Sequence, residues 1–235
     1  MFDWLMEPID AARAHDLGWN LKWHGRFMVV AWGILVPFGV IAARFLKRMP
    51  HRSGAALVVN LLWWRTHLFA QVSALCLMGV GLWLVLMRAT VATSGTGSMW
   101  LHHALGWAIL GLGAMQGLSG LFRGSKGGPD DPRGSIRGDH YDMTRRRLIF
   151  ERVHKTLGYS ALALSAWAVL TGMWQANAPH WMWILIPGWW LSLAATFLWL
   201  TQRVMVVDTY RALWGPDPYH PGNARQRGTG GLGGM

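Results

Sequence analysis

The sequence predicts an all-α, polytopic membrane protein with five transmembrane helices. Hydrophobic residues make up 52% of the 235-residue chain, charged residues only 14%, and there are 17 tryptophans. This composition is too apolar for a soluble domain of the same length. A helix that crosses the hydrocarbon core needs about 20 apolar residues. Five stretches satisfy this requirement, and we number them as the first to fifth spans: 24–45, 66–87, 99–121, 149–174 and 181–201.

Basic residues are distributed unevenly between the two ends of these spans. Most of the 22 lysines and arginines lie between the first and second spans, in the loop 122–148 or in the tail 202–235. Because lysine and arginine accumulate on the cytoplasmic side, we expect an extracytoplasmic N-terminal segment 1–23, a transmembrane core 24–201, a cytoplasmic loop 122–148 and a cytoplasmic, glycine-rich tail 202–235. The first twenty residues have no signal-peptide pattern, so the first span is expected to act as the insertion signal.

The net charge and the cysteine content bear on two further kinds of site. The formal net charge of +11 would suggest nucleic-acid binding in a soluble protein, but here the membrane topology and anionic lipid account for it. We therefore expect lipid contact and no nucleic-acid partner. The single cysteine, Cys76, lies inside the second span, which excludes a disulfide within the chain.

Four of the ten histidines lie near the beginnings of four consecutive spans. They are His24, His67, one member of the doublet His102 and His103, and His154. Successive spans run in opposite directions, so the first and third spans place their histidines at the outer face, and the second and fourth at the inner face. Facing imidazoles in a helix bundle can bind a metal ion or a haem iron. The spacing therefore predicts two histidine pairs, one on each side of the membrane.

Glycines beside two of these histidines indicate that the pairs bind haem rather than a simple metal ion. Gly106 follows His102 by one helical turn, and Gly158 follows His154 in the same way. A flat macrocycle needs a missing side chain beside its ligand, whereas a bare ion does not. The sequence therefore predicts that the first four spans form a four-helix haem-binding bundle.

A comparison of two short stretches indicates which histidine of the doublet is the ligand. Writing "HHALG" over "HKTLG" aligns His102 with His154 and leaves His103 opposite Lys155. One residue turns a helix by about 100°, so only one member of the doublet can face the bundle axis. We expect His102 to be the ligand and His103 to point to the outer interface.

Taken in order, four stretches resemble the transmembrane core of the cytochrome b561 family, in the version that follows an extracellular DOMON domain in eukaryotes. They read "HGRFMVVAWGILVPFGVIAARF", "HLFAQ", "HHALG" and "HKTLGY", and the resemblance covers residues 20–200. In that family the first and third histidines bind one haem b, and the second and fourth bind another. The resemblance implies that His24 and His102 hold the outer haem iron, and that His67 and His154 hold the inner one.

Two haems with two histidines each imply electron transfer, because both axial positions of each iron are filled. We expect a transmembrane carrier of single electrons, or an oxidoreductase of the b561 type, with no catalytic residue of its own. The donor would be a small molecule on the cytoplasmic side or a quinol in the lipid phase. The acceptor, such as another protein, would lie on the extracytoplasmic face of a bacterial inner membrane, with the N-terminus outside and the C-terminus in the cytoplasm.

Two alternatives remain open at this point. One is a quinol-linked cytochrome b subunit of a larger redox complex. The other is a haem-free membrane scaffold or anchor subunit whose histidines serve packing. The sequence also leaves open whether the chain works alone, as a homodimer or inside a complex.

Departures from the family bear on the electron donor. Family members that use ascorbate carry stretches resembling "ALLVYR" and "SLHSW", whereas the corresponding residues here read "GVIAARFLKR" and "WLHHAL". This difference argues against ascorbate. Arg65, two residues before His67, lies where family members often have a basic residue, so the resemblance implies that it contacts a haem propionate or an anionic donor.

Overall fold

The computed structural model describes residues 2–13, 17–46, 62–88, 99–121 and 145–203. Within these residues it contains helices and no strands. We number the helices α1 to α6, and their bounds are Phe2–Met6, Trp19–Phe45, Leu62–Arg88, Met99–Leu121, Arg145–Gln175 and His180–Arg203. Helices α2 to α6 are each long and apolar enough to cross a membrane. The predicted all-α, polytopic membrane class is thereby confirmed.

The helices extend beyond several of the predicted spans. Helix α2 begins at Trp19 rather than residue 24, and α5 covers Arg145–Gln175 rather than 149–174. A hydropathy pattern marks where lipid surrounds the chain, whereas the backbone hydrogen bonds of a helix continue into polar sequence that contains no breaker. Residues 145–148 of the predicted loop and 202–203 of the predicted tail are therefore helical. The remainder of that loop, 122–144, and of that tail, 204–235, lies outside the described residues.

Helices α2 and α3 pack along each other, and so do α4 and α5. Both pairs are antiparallel: the beginning of α2 lies beside Gly81 near the end of α3, and the beginning of α4 lies beside Ala168 near the end of α5. Helix α6 runs parallel to α2 and packs on its outer side, where the rings of Phe45 and Phe197 are 5.3 Å apart. The first four membrane helices thus form a bundle of two antiparallel pairs.

A π-helical turn, Ala31–Leu35, interrupts α2 just before Pro37. Proline has no N–H, so Pro37 cannot donate to the carbonyl of Gly33 four residues earlier, and its ring crowds that carbonyl. The indole Nε1 of Trp189 in α6 donates to the Gly33 oxygen at 2.8 Å. In lipid every backbone polar group needs a protein partner, so this bond both satisfies α2 and attaches α6 to it.

An apolar core lies midway along the bundle and joins the two helix pairs. Trp32 is its largest member and is only 6% exposed, and Met78 is 3% exposed. All four helices α2 to α5 contribute buried residues to it: Ala31, Trp32, Val36, Ala74, Met78, Ile109, Ala161 and Ala168. Because protein interiors are close-packed, this layer separates the two ends of the bundle.

The N-terminal segment folds back on the connector between α5 and α6. Trp4 in α1 stacks on His180 with ring centres 4.2 Å apart, and the His180 Nδ1–H donates to the carbonyl of Glu7 at 2.9 Å. Asn177, at the turn, is fully buried and has a positive φ of 47°. Its side chain accepts a hydrogen bond from the backbone N–H of Asp10 and donates to the carbonyls of Asp10 and Arg13. The segment is therefore attached to the same end of the bundle as the beginning of α2.

Candidate metal centres

The structure brings the four singled-out histidines together as two pairs, one near each end of the bundle. His24 of α2 faces His102 of α4, with ring centres 6.3 Å apart and ring planes at 84°. His67 of α3 faces His154 of α5, with ring centres 6.4 Å apart and ring planes at 69°. Each pair takes one histidine from the α2–α3 pair of helices and one from the α4–α5 pair.

These separations fit a single metal ion between the two rings of each pair. A metal–imidazole nitrogen bond is about 2.0–2.1 Å, and the ring centre lies about 1 Å behind the nitrogen, so two rings on opposite sides of one ion have centres about 6 Å apart. Among the residues that the structure describes, no group of three or more His, Cys, Asp or Glu side chains could hold an ion. Two imidazoles alone suit an iron whose other four positions are filled by a macrocycle.

Hydrogen bonds within the α2–α3 pair orient His24 and His67. The Nδ1–H of His24 donates to the carbonyl of Gly81 in α3, and the Nδ1–H of His67 donates to the carbonyl of Gly39 in α2, both at 2.9 Å. A carbonyl oxygen only accepts, so the proton of each ring is on Nδ1. The lone pair is then on Nε2, the other ring nitrogen, as a metal ligand requires.

Equivalent bonds within the α4–α5 pair orient His102 and His154. The Nδ1–H of His102 donates to the carbonyl of Ala168 at 3.0 Å, with the hydroxyl of Thr171 at 3.3 Å. Nδ1 of His154 is 3.2 Å from the hydroxyl of Ser119 in α4. The rings of all four histidines are thus held by the neighbouring helix of their own pair.

Three glycines permit these close approaches, and sequence reasoning did not assign them this role. A Cβ on Gly172 would lie 3.0 Å from Cε1 of His102, and one on Gly81 would lie 3.6 Å from Nδ1 of His24. A Cβ on Gly39 would collide with the amide of Gln71. Each contact depends on how two helices are aligned along each other. Spacing within one helix carries no such signal.

The glycines predicted to leave room for a macrocycle occupy open positions. No atom lies within 4 Å of where a Cβ on Gly106 would be, and the nearest atoms to one on Gly158 belong to the side chain of Gln116 at 3.9 Å. Protein packing alone therefore does not demand a glycine at either place. Their role beside a macrocycle stays a prediction.

The remaining singled-out residues are at the surface of the described structure. His103 is exposed, with its ring centre 6.2 Å from that of His102, and the structure pairs His24 with His102. Arg65 is also exposed, two residues before His67 at the beginning of α3. Both placements agree with side chains that face away from the bundle axis.

The chain is similar to three proteins of Arabidopsis thaliana. It is 30% identical over 67% of its length to a cytochrome b561, DM13 and DOMON domain-containing protein, of which it covers 15%. It is 27% and 26% identical, over 64% of its length in each case, to two cytochrome b561 and DOMON domain-containing proteins, of which it covers 31% and 27%. The chain thus spans less than a third of each of these relatives.

No family model matches the sequence, and no solved structure matches it. The three relatives share the cytochrome b561 designation, which confirms the resemblance found in the four histidine stretches. With its five apolar helices and two histidine pairs, the chain is a membrane-spanning member of the cytochrome b561 family.

Proposed function

We propose that the chain binds two haems b and passes single electrons between the two faces of the membrane. His24 and His102 would hold one haem iron, and His67 and His154 the other. The observation that supports this most directly is the geometry of the pairs, with ring centres 6.3 and 6.4 Å apart and a hydrogen bond at Nδ1 of every ring. A haem iron with two imidazole ligands exchanges one electron and has no open position for substrate.

The role of the protein in this function is to hold the imidazoles still and to exclude water. Each ring is oriented by the adjacent helix of its own pair, which limits movement when the charge at the site changes. The apolar core around Trp32 and Met78 lies between the two pairs. A dry, close-packed layer keeps ions and protons out of the path between the two sites.

We propose that the His67–His154 end of the bundle faces the cytoplasm. Arg65, Arg152 and Lys155 are all exposed near these two histidines. Basic residues accumulate on the cytoplasmic side of membrane helices. An anionic donor or the propionates of a haem would also be attracted to this end.

Haem content tests the two-site proposal. The purified chain is expected to carry two haems b, and H102A and H154A are each expected to carry one. H103A is the matched control, because His103 neighbours His102 but is exposed, and it is expected to keep both. One haem or none in the unmodified chain would overturn the proposal, and a colourless protein would favour a scaffold. Loss of a haem from H103A but not from H102A would overturn the assignment of His102.

The donor is a separate proposal, with a quinol in the lipid phase or a small molecule at the cytoplasmic end as the candidates. Vesicles containing the chain in one known orientation would be mixed with either a quinol analogue or ascorbate, and haem absorption would be followed. We expect the quinol to reduce the haems from either side and ascorbate to be slow. Fast reduction by ascorbate alone would refute the lipid-phase donor. The acceptor on the opposite face, a protein or a small molecule, would then be sought by its ability to reoxidise the reduced chain.

A further inference from the structure

We infer that Ser119 is a positioning residue for His154. Its hydroxyl makes the reduction potential of the site formed by His67 and His154 lower than it would be without this hydrogen bond. This inference rests on the proposed function, because it concerns the iron that those two histidines would hold. It concerns a residue of α4 that is not itself a ligand.

The hydrogen-bond directions around Ser119 follow from the chemistry of its neighbours. Its hydroxyl donates to the carbonyl of Gln116 at 2.9 Å, which commits its only proton. With Nε2 of His154 bound to the iron, as proposed, Nδ1 carries the ring proton, so in the contact of 3.2 Å the imidazole N–H donates and the serine oxygen accepts. This arrangement fixes the proton of His154 on Nδ1 and leaves Nε2 with its lone pair.

Two further contacts surround His154, one from α4 and one from its own helix, α5. The amide of Gln116 donates to the backbone carbonyl of His154 at 2.9 Å. Phe150, one turn before His154 in the same helix, stacks on the imidazole with ring centres 5.2 Å apart and an angle of 25°. The Ser119 hydroxyl, the Gln116 amide and the Phe150 ring thus meet at one histidine, which limits the rotation of its ring.

The acceptor at His154 differs in kind from the acceptors at the other three histidines. His24, His67 and His102 each donate to a main-chain carbonyl, whereas His154 donates to a side-chain hydroxyl. A substitution can remove a hydroxyl without altering the backbone. Ser119 is therefore a position at which this hydrogen bond can be deleted and its effect measured.

Hydrogen bonds to the outer nitrogen of a ligating imidazole make that ligand more basic. A more basic ligand stabilises ferric iron relative to ferrous iron and lowers the reduction potential. Deleting the Ser119 hydroxyl should therefore raise the potential of one site. Changes to such supporting partners typically alter metal affinity or activity by about 10–100-fold. If the lower value applies to the ratio of the ferric and ferrous affinities, a tenfold change in this one-electron equilibrium corresponds to about 59 mV.

The experiment is a redox titration of the purified, haem-loaded chain and its variants, followed by absorption. S119A is expected to shift one of two midpoint potentials upward by about 59 mV, for the tenfold change above. S119T keeps the hydroxyl and is expected to restore the original value. S165A is the matched control, because Ser165 also donates to a carbonyl three residues earlier, that of Leu162 at 2.7 Å, and it should leave both potentials unchanged.

Further variants test whether the shift in potential belongs to the haem held by His67 and His154. In an H102A background, in which one haem is expected to remain, S119A should still shift the potential of that haem upward. T171V removes a hydroxyl beside His102 but leaves the Ala168 carbonyl as its acceptor, so its shift should be smaller. If S119A cannot be purified, S119C is measured instead, because a thiol is a weaker acceptor and the shift should have the same sign.

The outcomes separate this inference from the proposed function. If the unmodified chain binds no haem, the proposed function is wrong and the inference falls with it. If the chain binds two haems, but S119A leaves both potentials unchanged or lowers one, the inference alone is wrong. A shift that S119T does not reverse, or that S165A reproduces, also overturns it, since a general packing effect would then suffice.

Discussion

Replacing Asn177 with alanine should destabilise the protein strongly, although this residue lies in a connector of only a few residues. Asn177 is fully buried between α5 and α6, and it makes one hydrogen bond to the N–H of Asp10 and two to the carbonyls of Asp10 and Arg13. Its φ of 47° is in the left-handed region, which asparagine tolerates better than alanine does. The substitution therefore removes three bonds and adds backbone strain.

The expected loss can be estimated from these two terms. Three hydrogen bonds contribute about 0.5–1.5 kcal/mol each, and an alanine in the left-handed region costs about 1–2 kcal/mol. N177A should thus lower the free energy of unfolding by about 2.5–6.5 kcal/mol. N177G loses the same bonds but avoids most of the strain, so it should be about 1 kcal/mol more stable than N177A.

The assay is a denaturation titration in mixed micelles of a mild detergent and SDS, followed by circular dichroism. N20A is the control, because among the described residues the side chain of Asn20 donates one hydrogen bond, to the carbonyl of Leu84 at 3.2 Å, and the variant should lose about 1 kcal/mol. Hydrogen exchange at Ile9, whose N–H donates to the Ala178 carbonyl at 3.2 Å, should quicken in N177A. An N177A loss no larger than that of N20A would refute the reasoning, and equal losses for N177A and N177G would refute the strain term.

Three further substitutions test the core and the glycines. W32A should lower the free energy of unfolding in the same assay by about 3–5 kcal/mol, because Trp32 is only 6% exposed; a loss below about 1 kcal/mol would contradict its packing. G172A should reduce the haem held by His102, measured by absorption, since the added Cβ would lie 3.0 Å from Cε1 of that ring; full haem content would contradict this contact. G106A should fold normally but bind less haem, whereas G111A, another open position of α4, should bind it fully; equal haem content in both would refute the predicted role of Gly106.

The membrane helices could be predicted from the sequence because their cause acts on single segments. Bilayer thickness sets the length of an apolar run, and α4 occupies the predicted residues, 99–121. The π turn at Ala31–Leu35 could not be predicted in the same way. Pro37 signals a missing N–H, but the sequence does not reveal that Trp189, over 150 residues later, supplies a donor to Gly33.

The same distinction applies to the candidate site. The alternating direction of consecutive spans is enough to pair His24 with the His102–His103 doublet and His67 with His154, and the alignment of "HHALG" with "HKTLG" then selects His102. The structure brings both pairs together. The acceptors of their Nδ1 protons depend instead on how neighbouring helices are aligned. Ser119 is one serine among many in the sequence, and only the packing of α4 on α5 distinguishes it.

The division of contacts between the two pairs of helices has a consequence for assembly. The Nδ1 hydrogen bonds seen among the described residues each lie within one helix pair, either α2–α3 or α4–α5. Each site, by contrast, takes one histidine from each pair. The rings can therefore be oriented before the two pairs meet, whereas a group bound between two facing histidines would connect the pairs at that end of the bundle. A ligand that binds only the assembled form stabilises that form. Haem bound at both ends would therefore stabilise the association of the two helix pairs, in addition to the stabilisation from the apolar core.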